Sequence, residues 1–293
     1  MRVHPFKIPA TVKSAIGLQK DFLPHFYDIF HQHPEIQLTL VLQSTGTLFL
    51  GDYVGEFQPG NVFVIGASVP HVFKNDPVYY NADSPEIAKS ISIFFKEDLL
   101  GKDFLQLPEA WRIKEFLLKT QRGMKFGPGT FDKLEPLVNR IFAAEDTDKI
   151  IYFLQILKIL CEDEFLLTQH TISYDADEIE GKRLNSIFQF TMNEFGREIA
   201  IEEVAEIANL TRTSFCRYFK KRTRKTYIDF LLEVRVSHAC NLLMKQDLSI
   251  SAIGDLCGFN NISNFNRQFK RLKGMPPTEF RRKAHWQGLA AAS

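Results

Sequence analysis

The sequence predicts an α+β chain: an N-terminal β-barrel with following helices, then an all-α domain with two helix-turn-helix motifs joined by a long helix. Three observations predict it. Period-two apolar alternation is confined to residues 20–95. Helical periodicity replaces it from residue 97. The last third of the chain repeats itself at an offset of 49 to 50 residues. A length of 293 residues suits about two domains at roughly 150 residues each, large enough for separate cores.

The first strand signal is the clearest. Glu35-Ile-Gln-Leu-Thr-Leu-Val-Leu-Gln43 alternates strictly, with Ile36, Leu38, Leu40 and Leu42 on one face. Short apolar runs follow at 47–50, 62–65 and 91–95, separated by Gly51-Asp52, Pro59-Gly60-Asn61 and Asn75-Asp76-Pro77. Closely spaced strands with such turn signals make residues 1–96 a small barrel or sandwich. Residues 97–172 read as helical, with Ile150, Phe153, Leu154, Leu157 and Leu160 at three- and four-residue steps. The apolar stripe Ile150, Leu154, Leu157 and Cys161 needs a cover, either a second copy of the chain or the barrel itself. A polar, acidic stretch at 173–181 is the natural linker, and 182–293 forms the second domain.

That second domain is internally duplicated. Val204-Ala-Glu-Ile-Ala-Asn-Leu210 matches Ile253-Gly-Asp-Leu-Cys-Gly-Phe259, and Thr213-Ser-Phe-Cys-Arg-Tyr-Phe-Lys-Lys221 matches Ser263-Asn-Phe-Asn-Arg-Gln-Phe-Lys-Arg271. Asn209 and Gly258 fall where a tight helix–helix turn needs the left-handed conformation that both residues tolerate. A long helix, roughly 227–245, joins the two units.

Charge separates along the same boundary. The whole chain carries 36 Lys+Arg against 35 Asp+Glu, which taken alone argues against a polyanion partner. Between Lys182 and Lys283, however, 19 basic residues face 10 acidic ones, a net +9, and the remainder carries 17 against 25, a net −8. An acidic part joined to a basic helical part is the pattern of a nucleic-acid-binding module with an attachment. On the helical wheel Phe215 and Phe219, like Phe265 and Phe269, anchor one face in a core. Thr213, Cys216, Arg217 and Lys220 line another face, and Ser263, Asn266, Arg267 and Lys270 repeat it, with Arg212 and Asn261 at the helix starts. Small hydrogen-bonding groups plus an Arg suit base edges in a major groove. Lys221, Arg222, Lys225, Arg271, Lys273, Arg281 and Arg282 suit phosphates.

From Ile199 to Arg282 the sequence resembles the AraC-type family of bacterial transcription regulators, most strongly over LSISAIGDLCGFNNISNFNRQFKRLKGMPPTEFR, Leu248 to Arg281. The resemblance implies two recognition helices placed in successive major-groove segments of double-stranded DNA. Arg224 and Tyr227 depart from the Gly and Pro usual there, and Gly254 stands where Ala is common.

In the acidic part His31, His33, Glu35 and Gln37 share parity and face away from the Ile36–Leu42 stripe. With Gly60, His71 and Asn75 they resemble the two motifs of cupin barrels, although the motif's acidic ligand falls on Gln37, and its Pro and second Gly on Gly66 and Ser68. In regulators of this type such a barrel binds an effector or dimerises. His31, His33, Gln37 and His71 are therefore the candidate ligand-binding residues. The three histidines are also candidates for a metal, which the loss of the carboxylate at Gln37 argues against.

The expected protein is a sequence-specific DNA-binding regulator controlled by a small-molecule effector in the barrel, a homodimer, cytoplasmic, without a membrane partner and without a cofactor. It is not expected to be an enzyme: there is no nucleophile–base pattern, and Gly127-Pro-Gly129 lacks the Lys and Ser/Thr of a phosphate loop. The four cysteines show no CxxC spacing and read as reduced thiols. Two alternatives stay open, a metal-dependent cupin enzyme with an appended DNA-binding domain and a ligand-free dimerising DNA-binding protein.

Overall fold

The computed structural model describes residues 4–5, 15–51, 53–81, 83–162, 166–168, 178–245 and 248–290. Two five-stranded sheets face each other. One has the order β1 (His4–Pro5), β3 (His31–Gln32), β8 (His71–Asn75), β5 (Gly46–Leu50), β6 (Tyr53–Phe57). The other runs β10 (Met124–Phe126), β7 (Val62–Ile65), β4 (Ile36–Gln43), β9 (Ala88–Phe95), β2 (Ile16–Leu23).

Both sheets are covered on both faces, which explains why so few strand positions are polar and exposed. On β4 the Ile36, Leu38 and Leu40 side chains pack with Leu134, Val138, Phe153 and Ile156. Those residues belong to α2 (Pro128–Ala143) and α3 (Asp146–Leu160), and α1 (Trp111–Lys119) adds Phe116 and Leu117 to the same core. The opposite parity turns Gln37, Thr39 and Val41 into the space between the sheets, where Leu48, Leu50, Phe57, Phe63 and Phe73 form a second core. The α3 stripe is split by this arrangement. Phe153, Ile156, Leu157 and Leu160 are buried in the chain's own core, while Ile150 and Ile151 remain about half exposed. The segment read as helical also supplies β10, whose three residues are too few to show a period and which pairs antiparallel with β7.

The second domain comprises α4 (Glu178–Glu194), α5 (Ile201–Ile207), α6 (Arg212–Thr223), α7 (Tyr227–Lys245), α8 (Ile250–Leu256), α9 (Ile262–Lys273) and α10 (Pro277–Ala290). Helix α4 begins inside the stretch read as linker, of which 173–177 lies outside the described residues. The long helix α7 lies against β5 and β6. There Phe49 of β5 stacks on Phe188 of α4 and sits 5.7 Å, centroid to centroid, from Phe230 of α7. Phe30, Phe49 and Val72 of the barrel therefore share one core with α4–α7, whereas α8 and α9 close a separate core with the far half of α7. None of the described helices is long and apolar enough to cross a membrane.

Candidate functional site

The duplication seen in the sequence is reproduced in the packing. Residues 211–222 and 261–272 carry the same succession of exposed, intermediate and buried positions. Phe215, Phe219, Phe265 and Phe269 are fully buried. Arg212, Thr213, Cys216, Arg217, Lys220 and Lys221 of α6 are exposed, as are Asn261 and, on α9, Ser263, Asn266, Arg267, Lys270 and Arg271. The turns match as well: Leu210 N–H donates to Ala205 O at 2.9 Å, and Phe259 N–H to Gly254 O at 3.0 Å. Asn209 (φ 53°) and Gly258 (φ 76°) hold the left-handed turn conformation. Gly254 has a packing reason, since a Cβ there would lie 3.3 Å from the Phe265 ring.

Local chemistry then sorts the predicted contacts. Asn261 caps α9, its Oδ1 accepting from Ser263 N at 2.7 Å and Asn264 N at 3.3 Å, so only its amide hydrogens point outward for another partner. Thr211 caps α6 through one bond, from Ser214 N at 3.3 Å. Arg267 donates to Asn264 Oδ1 at 3.0 Å, and Arg212 to Glu202 Oε1 at 2.7 Å; both are exposed pairs that a phosphate or a base can displace at little cost. Two lysines read as phosphate contacts are committed elsewhere. Lys273 is half-buried on Glu56 of the barrel at 2.5 Å, and Lys225 pairs with Glu233 at 2.6 Å. Their partners lie on other elements, so nothing in the helix pattern announced them.

Between the sheets the three histidines do converge. His31 and His71 ring centroids are 4.4 Å apart and His33 and His71 5.2 Å apart, and the nearest nitrogens of all three lie within 4.8 Å of one another. Backbone carbonyls orient every ring: His31 Nδ1 donates to Ile29 O at 2.8 Å, His33 Nδ1 to Glu35 O at 3.0 Å and His71 Nδ1 to Val69 O at 2.8 Å. Each neutral ring then keeps its lone pair on Nε2. Burial pulls the His31 pKa down to about 4 against the opposing effect of the Ile29 carbonyl. Burial also lowers His33, and it holds His71 well below the ordinary histidine value. All three are thus neutral acceptors at pH 7.

Gln37 Oε1 sits 3.0 Å from both His33 Nε2 and His71 Nε2, and the amide nitrogen donates to Thr39 Oγ1 at 2.7 Å. An oxygen facing two lone pairs is balanced by a cation. With the carboxamide reversed, its two hydrogens would serve the imidazoles and its oxygen would accept from Thr39. The one set therefore fits both a free and an ion-bound state. A spacing of 3.0 Å matches the edge of an octahedral coordination shell with bonds of about 2.1 Å, whereas a tetrahedral edge is about 3.4 Å. Glu35 does not supply the missing carboxylate, because it approaches His33 from the Nδ1 side, at 3.7 Å.

The adjoining cavity is small, about 50 Å³, and is lined by Gln19, Asp21, His31, Gln37, Thr39 and Ser92 among others. Drug-sized ligands occupy about 300–1,000 Å³. As shaped here the space suits an ion with a water, and a larger effector requires the sheets to part.

One strand links this cluster to the helical domain. On β8, His71 and Phe73 face the barrel interior, while Val72 packs in the core shared with α4–α7. Lys74 donates to Gln189 Oε1 of α4 at 2.7 Å, and Asp76, just past the strand, accepts from Asn241 of α7 at 3.0 Å.

Comparison with known proteins gives one consistent answer. A family model described as a helix-turn-helix domain matches residues 204–283. The HTH-type transcriptional regulator YdeC of Bacillus subtilis is 22% identical over 87% of this chain and 87% of its own length. The transcriptional activator RhaS of Klebsiella pneumoniae is 23% identical over 86% of each. The Msm operon regulatory protein of Streptococcus mutans is 27% identical over 83% of this chain and 82% of its own length.

Proposed function

We propose, from the helix-turn-helix match over residues 204–283 and the regulators that the chain resembles along most of its length, that it is a DNA-binding transcription regulator of the AraC type, in which α6 and α9 read one operator while the barrel reports the state of its histidine cluster to them. The duplicated exposed face, Thr213/Cys216/Arg217/Lys220 against Ser263/Asn266/Arg267/Lys270, carries the first half of the reading. Arg217 and Arg267 are assigned to base edges and the flanking Lys221 and Arg271 to phosphates. The test is footprinting on genomic fragments followed by affinity measurements with Arg267→Ala. The substitution is expected to cost about 1–3 kcal/mol on the cognate site and relax one base position. Equal weakening on cognate and random DNA would remove Arg267 from the base readers.

We read the barrel as a receptor, not a catalyst, working in the cytoplasm where the DNA is. His31, His33, Gln37 and His71 are the proposed effector contacts, and β8 is the proposed route to α4 and α7. The locked Nε2 lone pairs and the 50 Å³ cavity favour a second reading in which the effector is a divalent metal ion. Imidazole suits zinc, iron and nickel, and the set would hold the ion through three His nitrogens and the Gln37 oxygen. Elemental analysis separates the two. Stoichiometric metal lost in His71→Ala supports the ion, and a metal-free protein whose melting shifts with an organic effector supports the small molecule. The half-exposed Ile150 and Ile151 of α3 are the proposed contact of a homodimer, which sedimentation of the full chain with Ile150→Glu would test.

A further inference from the structure

A second space lies beside the interdomain contact. A cleft of about 760 Å³ opens between β6, the α6–α7 junction and the end of α9, and its wall includes Tyr53, Thr168, Arg224, Lys225, Glu233 and Lys273. It falls inside the size range of small-molecule sites and lies at a domain boundary, where such sites concentrate. Its charges do not balance. Glu233 is taken by Lys225 and Glu56 by Lys273. Half-buried Lys125 donates to the Glu56 carbonyl at 2.7 Å and adds a further positive charge behind the wall. Arg224 is exposed and has no acidic partner among the described residues.

The backbone at Arg224 supplies an independent observation. It ends α6 in the left-handed conformation, at φ 57° and ψ 6°, while the other half of the repeat ends α9 with Gly274 at φ 73° and ψ −6°. Glycine meets that requirement without steric cost, so the fold gains nothing locally from an arginine here. Strained positions of this kind collect at binding sites, where the side chain has work that the backbone does not explain.

We propose that this cleft is a second ligand site, distinct from the histidine cluster, which takes a small multiply charged anion on the Arg224 guanidinium with Lys225 and Lys273 alongside. A planar guanidinium binds either phosphate or carboxylate in a bidentate fashion. Because the walls come from the barrel and from both helix-turn-helix modules, a bound anion bridges all three.

Calorimetric titration of the full-length protein with inorganic pyrophosphate and, separately, with malonate tests it, at ionic strength held constant with NaCl. Saturable one-to-one binding of at least one probe is expected, and the probe that binds names the phosphate or the carboxylate class. Arg224→Gly should weaken that binding at least ten-fold and leave thermal unfolding no earlier than in the parent. Arg217→Ala, on the outer face of the same helix, should bind as the parent does. The proposal is overturned if neither anion saturates, if Arg224→Gly binds like the parent, or if Arg217→Ala loses as much.

Discussion

The two helix-turn-helix modules share a sequence pattern and a burial pattern, yet they are held in the molecule by different means. The first is continuous with the barrel: Phe219 meets Phe230, Phe230 stacks near Phe188, and Phe188 stacks on Phe49 of β5. The second has its own core around Cys240, Ile253, Phe265 and Phe269, and reaches the barrel through polar contacts, Asn241 of α7 donating to Asp76 and Lys273 at the end of α9 pairing with Glu56. Hydrophobic burial is non-directional and cooperative across a shared core, whereas a hydrogen bond or an ion pair constrains one point. One module is thus built into the effector domain and the other is tethered to it, an asymmetry suited to changing the spacing of two reading heads.

Matched substitutions break or sharpen this contrast. Phe219→Ala and Phe269→Ala each remove a fully buried ring and should cost about 3–5 kcal/mol. In hydrogen exchange, Phe219→Ala is expected to lower protection in α4–α7 and in β5 together, and Phe269→Ala to lower it in α8–α10 alone. Equal spread from both would make the two attachments equivalent.

The caps differ in the opposite sense. Asn261 accepts two backbone N–H groups and Thr211 one, so Asn261→Ala should cost about 1 kcal/mol and Thr211→Ala about half of that. Urea denaturation of the two variants measures it. At the C-terminal ends, Arg224→Gly is expected to stabilise by about 0.5–1 kcal/mol, and Gly274→Arg to destabilise by a similar amount. A loss on Arg224→Gly would mean that packing of the arginine outweighs its backbone cost.

The smallest effect concerns the tether. Burial pushes the Glu56 carboxyl up, but the facing Lys273 and Lys125 ammonium groups outweigh it and hold it below the ordinary carboxylate value. A carboxyl depressed in the folded state contributes stability that is complete above its unfolded pKa, near 4.5, and is lost as pH falls through the lower folded value. Melting temperature against pH should therefore show an acid-side fall below about pH 4.5 that Glu56→Gln flattens.

Much of the helical domain was legible in the chain because a helix places every third or fourth residue on one face. Phe215, Phe219, Phe265 and Phe269, and the Arg217 and Arg267 faces beside them, follow from spacing alone, as do the left-handed turns at Asn209 and Gly258. Alternation in β4 likewise placed Gln37 opposite the Ile36–Leu40 stripe. Strand β10 was hidden, since three residues inside a helical stretch carry no period. Glu35 could not be separated from the ligand set, because parity assigns a face and says nothing of which side of an imidazole a carboxylate approaches. Lys225 and Lys273 looked like any other basic residue of the helical domain.

What the sequence by itself determined is the set of elements and the face each presents, because periodicity is a local property of the covalent chain. What only the tertiary structure decided is pairing at a distance. It brings His71 beside Gln37 and Lys273 onto Glu56, and it sets Arg224 in the wall of a cleft whose acid, Glu233, is paired with Lys225. Such contacts span up to 217 positions, and their energy depends on separation and burial in space, which no local pattern encodes.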